Sequence, residues 1–171
     1  TGDRKAIAID PSYITKSGKN TPWIGYFWSG AAGQAKRGLE ILGVGLIDVD
    51  NKDCISLQAV QTPDRQTLES RDTNLIDWYL LVLESMRDKL HRTSRYVVAD
   101  AYFAKNNFVT GLQEMKFDLV SPSGMTPHFI IQHCRNRQAR KAGLNSTTER
   151  LTWPTWIQPE CKRSILITVI S

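Results

Sequence analysis

Short apolar runs closed by acids or turn residues dominate the first two thirds of the chain. Lys5 to Asp10 reads K-A-I-A-I-D, four apolar residues in a row ending on a carboxylate. That is the pattern of a strand covered on both faces. Residues 42–49 (L-G-V-G-L-I-D-V) and 54–61 (C-I-S-L-Q-A-V-Q) are two more runs, separated by Asp50-Asn51-Lys52-Asp53. The polar quartet has turn chemistry, so the pair predicts an antiparallel hairpin. In its second half Ile55, Leu57 and Ala59 alternate with Ser56 and Gln58, which predicts a strand covered on one face.

Helical spacing takes over at Asn74. Leu75, Tyr79, Val82 and Met86 form a stripe that Ile76, Leu80 and Leu83 widen. Thr73 and Asn74 can cap its start, while Arg87, Lys89 and Arg92 suit the negative end of the helix dipole. Tyr96–Asp100 (Y-V-V-A-D) is again a brief apolar strand ending on Asp. Lys105 to Lys116 predicts a shorter helix burying Phe108, Leu112 and Met115, and Phe117 to Val120 a fifth strand. Three strands followed by alternating helices and strands predict an α/β fold. Its mixed sheet is antiparallel on one side, parallel on the other and covered by helices. Segment 15–37 stands apart, with four glycines, one proline and four aromatics in 23 residues. It predicts a long connection with its own packing, of a length that often carries function.

The 171 residues (19.4 kDa) suffice for one domain with a core. The 41% hydrophobic and 23% charged content excludes a disordered or fibrous chain. No apolar run approaches the roughly 20 residues of a membrane span. The opening Thr-Gly-Asp-Arg-Lys has neither an initiator Met nor a signal-peptide layout. The chain is therefore read as intracellular, with its natural beginning missing. Cys54, Cys134 and Cys161 follow no C-x-x-C spacing and make no disulfide framework.

Charge is unevenly spread. Residues 1–120 hold 15 basic and 15 acidic groups, whereas residues 121–171 hold 7 and 2 and account for the whole net charge of +5. The same stretch contains no Asp. Such a break marks a boundary between a first region, 1–121, and a basic tail of different composition, 122–171.

Asp10 and Asp100 are the candidate chemistry. If the strands they close are parallel neighbours, both carboxylates enter one crevice outside the strand ends, where open α/β sheets bind ligands. Two carboxylates that close repel, and a hard divalent cation relieves the repulsion. Mg²⁺ so held activates a water or hydroxyl and stabilises a leaving oxygen in phosphoryl transfer. An Asp after a strand equally starts a turn or caps a helix. Segment 15–37 sets Lys16, Lys19, Lys36 and Arg37 among Trp23, Tyr26, Phe27 and Trp28. Such a mixture contacts phosphates and stacks on unpaired bases, or is simply a solvated loop pinned by its aromatics.

Other motifs fail. Gly30 to Arg37 lacks the G-x-x-x-x-G-K-[ST] frame, and Gly43-Val44-Gly45 is followed by Asp48 where a dinucleotide fingerprint needs Gly or Ala. His128, His133, Cys134 and Cys161 match no zinc spacing. The cluster Arg135, Arg137, Arg140 and Lys141 reads as a solvated surface.

Three segments together are more specific: K-A-I-A-I-D-P-S-Y-I-T-K-S-G-K, W-S-G-A-A-G-Q-A-K-R-G-L-E and Y-V-V-A-D-A-Y-F-A-K. Over roughly residues 4–120 the chain resembles the catalytic domain of bacterial insertion-sequence transposases of the DDE superfamily. The resemblance implies a ribonuclease H-like fold, incomplete at the C-terminus. It makes Asp10 and Asp100 the first two catalytic, metal-binding acids, with Mg²⁺ as cofactor and Mn²⁺ as substitute. Lys16, Lys19, Lys36 and Arg37 become the DNA-binding candidates. The implied partner is double-stranded DNA, at transposon ends and target, in the bacterial cytoplasm and nucleoid, with no membrane. A homodimer is compatible with the intact family.

The family's third acid is a Glu on a helix well beyond the fifth strand. Only Glu149 and Glu160 follow residue 121; Glu160 lies between Pro159 and Cys161, so Glu149 is the nominee. After Ser121 the family-like pattern stops, at the composition break, which implies a truncation or a frameshift near 121–123. The expected activity is metal-dependent DNA strand cleavage and transfer, impaired in this chain. The alternatives are a non-catalytic DNA-binding remnant and a ribonuclease H-like nuclease outside transposition.

Overall fold

The computed structural model describes residues 2–18, 20–122 and 129–132. Four strands open the chain: β1 (Lys5–Thr15), β2 (Gly25–Ser29), β3 (Gln34–Asp48) and β4 (Asp53–Gln61). Then come α1 (Arg65–Ser70), α2 (Leu75–Ser85), α3 (Arg87–His91), β5 (Tyr96–Val98), a 3-10 turn at Ala101–Phe103, α4 (Asn106–Glu114), β6 (Asp118–Pro122) and β7 (Phe129–Gln132). The strands form one mixed sheet in the order β2-β3-β1-β5-β6-β7, with β4 also paired to β3. β1 is antiparallel to β3 and parallel to β5, β5 is parallel to β6, and β7 is antiparallel to β6. This is the expected α/β class. Pro122, the last residue of β6, and β7 fall within the stretch assigned to the tail; the rest of that stretch, 123–128 and 133–171, lies outside the described residues.

The expected hairpin forms, with Asp48 opposite Asp53 and Lys52 in the left-handed region at φ 55°. Its second strand departs from the one-sided burial expected of it. Ile55 and Leu57 are 58% and 42% exposed, because β4 is an edge strand whose register slips at Val44/Gly45 and only Val60 packs on the core. The first strand begins at Gln34 instead of residue 42.

One face of the sheet carries Ile7, Ile9, Leu42, Val44, Val97 and Leu119, against which α2, α3 and α4 lay Tyr79, Leu83, Leu90, Phe108 and Leu112. Asn74 caps α2, its Oδ1 accepting from Ile76 N and Asp77 N (2.9 and 3.0 Å). The single helix expected beyond Asn74 is broken at Met86, where φ is −107° and ψ −1°. The break serves tertiary packing: Leu90 enters the core, and His91 meets Met115 O through Nε2 (2.8 Å) while stacking on Phe117 at 4.1 Å. The short helix α1, capped by Asp64 through Thr67 N at 3.0 Å, had no periodic signal.

Segment 15–37 is not a free connection. β2 pairs with the first five residues of β3 from Gly25↔Gly38 to Ser29↔Gln34, and the turn closes with Ala32 N and Gly33 N donating to Ser29 O (3.1 and 2.9 Å). Gly33, at φ 62°, occupies the left-handed conformation such a turn needs. β1 runs on beyond Asp10 to pair Thr15 with Gly38. Pro11, which cannot donate to a ladder, falls where β5 has already ended and only β3 flanks β1. At Gly38 the strands crowd so closely that a Cβ would collide with the Ile14 carbonyl oxygen and the Tyr13 ring. Among the described residues no helix is long and apolar enough to cross a membrane.

Candidate functional site

Asp10 lies on, and Asp100 just after, strands that pair in parallel. β1 and β5 run parallel with Ile7 opposite Val97 and Ala8 opposite Val98. Asp10 lies two residues beyond Ala8 on β1 and Asp100 two residues beyond Val98, just after β5, so the two acids lie at the same end of this parallel pair. Alternation along β1 puts Asp10 on the sheet face opposite Ile7 and Ile9. Asp10 does not end its strand, as its position after an apolar run implied; it lies within β1, opposite Gly43. Asp100 does follow the end of β5, and its Oδ1 accepts from Tyr102 N at 2.9 Å, capping the 3-10 turn. It is thus a turn-capping residue that lies at the same end of the β1–β5 pair as Asp10. Its carbonyl accepts from Ser121 Oγ (3.0 Å), and Ala99 N from the preceding residue donates to Val120 O (3.1 Å). β6 thereby fixes where Asp100 stands.

A buried polar pair supports the same turn from beneath. Glu40, only 6% exposed, accepts a hydrogen bond from Tyr79 OH at 2.6 Å. Burial pushes the Glu40 carboxyl above its ordinary value, against the opposing pull of Tyr79 and, more weakly, Thr62. Tyr79 is raised far above the usual phenol range by burial first, then by the charge of Glu40, with a further contribution from Asp100. The Tyr79 ring packs on Phe103 at 5.5 Å, and Phe103 contacts Tyr102 and Phe108. The chain of contacts from β3 through α2 to the turn therefore holds Asp100 in place. Sequence reasoning assigned Glu40 and Tyr79 no role at the site. The available signal was a lone Glu in the apolar run Leu39-Glu40-Ile41-Leu42, since such a charge needs a partner when buried.

The basic candidates gather elsewhere. Lys16 follows Thr15, the register partner of Gly38, and Lys36 and Arg37 lie on β3 opposite Phe27 and Tyr26. All three are exposed. Arg37 donates through Nη2 to Gly18 O at 3.0 Å, and its own carbonyl accepts from Tyr13 OH at 2.8 Å, which ties the Lys16–Gly18 segment to the strand. Lys19 and Glu149 lie outside the described residues, as do His128, His133, Cys134 and Cys161. Nearer Asp100, Lys105 Nζ sits 3.7 Å from the Tyr102 ring centroid, a cation–π contact.

Two carboxylates offer the hard oxygen donors that suit Mg²⁺ or Mn²⁺. Among the described residues no group of three His, Cys, Asp or Glu side chains could hold a metal ion. No protein-family model, curated protein or solved structure matches the chain.

Proposed function

We propose that this chain carries the first two acids of a ribonuclease H-like, DDE-type domain derived from an insertion-sequence transposase, acting on DNA. The observation that carries this reading is the parallel pairing of β1 with β5, which sets Asp10 and Asp100 at the same end of adjacent strands. The sheet order supports it: β4, β3 and β1 are antiparallel neighbours, and β1, β5 and β6 follow in parallel, the arrangement expected of a ribonuclease H-like core. A bound Mg²⁺ or Mn²⁺ would supply charge stabilisation for phosphodiester cleavage. Asp10 and Asp100 would hold it, while Tyr102 N and Ser121 orient Asp100. Glu149, the nominee for the third acid, lies outside the described residues, and the cleavage expected is weak.

Metal-dependent nicking of supercoiled plasmid tests the reading. The expected result is slow nicking in Mn²⁺ that falls at least about 100-fold, or about 2.7 kcal/mol of barrier, in both Asp10→Asn and Asp100→Asn. Asn keeps the cap at position 100, so both variants remain folded by circular dichroism. Nicking that persists in either variant overturns the assignment. A folded protein with salt-sensitive DNA binding and no nicking supports the non-catalytic reading, which the basic, acid-free segment around β2 favours. Cleavage confined to RNA–DNA hybrids supports the nuclease outside transposition.

A further inference from the structure

We infer that the β2–β3 arm is a stacking platform for unpaired DNA bases, with Tyr26 and Trp28 as its stacking residues; this rests on the reading of the chain as a DNA-processing domain. Tyr26 and Trp28 are 75% and 66% exposed, the two most exposed large apolar side chains among the described residues. Between them Phe27 is buried, so the alternation is that of a strand with one wet face, and that face is aromatic. Two residues along a strand place the rings ~6.6 Å apart, about twice the ~3.4 Å axial spacing of nucleotides in one DNA strand. A base fits between them or over either one.

Charge points to a polyanion. Residues 11–38 contain four Lys or Arg and no Asp or Glu, whereas the rest of 1–120 holds 11 basic and 15 acidic groups. Arg37 lies directly across from Tyr26, so a phosphate-binding group and a stacking ring share one cross-strand pair. An acidic protein partner would satisfy the charge but leaves two neighbouring exposed rings without a purpose; unpaired bases use both.

Position relates the arm to the acids. Continuous register along β3 puts Arg37 on the same face as Gly43, the partner of Asp10, and Tyr26 and Trp28 share the face of Arg37. The arm extends β1 and β3 past the strand end that bears Asp100, with Tyr26 about six residues, or ~20 Å, beyond the level of Asp10. A strand entering the acid pair thus crosses the aromatic face, and single-stranded or frayed DNA is preferred to intact duplex.

The test is fluorescence anisotropy of a labelled oligo-dT of about 12 nucleotides, within the usual site size, in EDTA so that metal and cleavage play no part. Tyr26→Ala/Trp28→Ala weakens binding about tenfold or more, while Tyr26→Phe/Trp28→Phe stays within about threefold of the parent. Arg37→Gln weakens binding and lowers the salt slope by about one. Unchanged oligo-dT affinity in the double alanine variant overturns the inference. So does equal loss of heparin or polyglutamate binding, or a parent that prefers blunt duplex. Aromatic-dependent binding without any nicking sinks the cleavage reading and leaves the arm standing. Metal-dependent nicking with aromatic-independent binding does the reverse.

Discussion

The Asp10–Asp100 end of the sheet and the β2–β3 arm are built from the same strands, β1 and β3, yet obey opposite physics. At the first, β3 pairing along β1, β5 pairing up to Ala8 and the buried Glu40–Tyr79–Phe103 contacts fix the backbone. At the second, β5 has ended and the side chains of Tyr26, Trp28, Lys36 and Arg37 face solvent. One long strand pair thus offers a rigid end for chemistry that needs fixed carboxylates and an exposed end for contacts that tolerate variation. The comparison teaches that the acids depend on packing from the opposite face, whereas the arm depends mainly on its root at Gly38.

Substitutions can break this contrast, beginning with the most damaging. Phe103→Ala removes a fully buried ring that touches Tyr79, Tyr102 and Phe108, and should cost about 3–5 kcal/mol in urea denaturation. The arm variant Tyr26→Ala/Trp28→Ala, by contrast, should stay within about 0.5 kcal/mol of the parent. Tyr79→Phe removes the main donor to a buried carboxyl and should cost about 1–3 kcal/mol. Glu40 also gives a pH signature. Burial raises its folded-state value above the ordinary 4.5, so the native state keeps the proton longer than the unfolded chain does. Stability then falls as pH rises through the interval above 4.5, and Glu40→Gln should flatten that slope in melts taken across it.

Gly38→Ala sharpens the comparison at the junction. Its Cβ would meet the Ile14 carbonyl and the Tyr13 ring, and overpacking of this kind costs about 1–3 kcal/mol. Because the clash lies at the root of the arm, oligonucleotide affinity should drop with it. The smallest effect belongs to Asp48, held down to about 2 by bonds from the Asn51 side chain and backbone and from Gly2 N. Its contribution is present above about 3.8 and lost as pH falls toward 2. Asp48→Asn should remove only that acid-side loss, read as a small change in melting temperature at low pH.

Much of the helix-covered face was legible. The runs at 5–10, 42–49, 54–61 and 96–100 mark strands, and the stripes of Tyr79, Val82, Phe108 and Leu112 mark helices, because burial demands apolar residues at the period of each element. Asp10 and Asp100 were legible as residues for the same reason: a carboxylate beside an apolar run stands out.

Other features follow from pairing and contact. β1 continues through Pro-Ser-Tyr-Ile-Thr, and β3 starts among Gln34, Lys36 and Arg37, because the partner strand supplies hydrogen bonds that local hydrophobicity does not encode. Met86 interrupts a helical stripe because Leu90 and His91 have partners in the core and near β6. Glu40 is buried because Tyr79, on a helix far along the chain, donates to it. The sequence by itself determined which faces are apolar and which two carboxylates close short runs. The tertiary structure alone decided that β1 lies beside and parallel to β5, and that a glycine-rich, aromatic segment becomes an arm. Strand partners are chosen by global packing, and a local pattern specifies a face but not the neighbour it will meet.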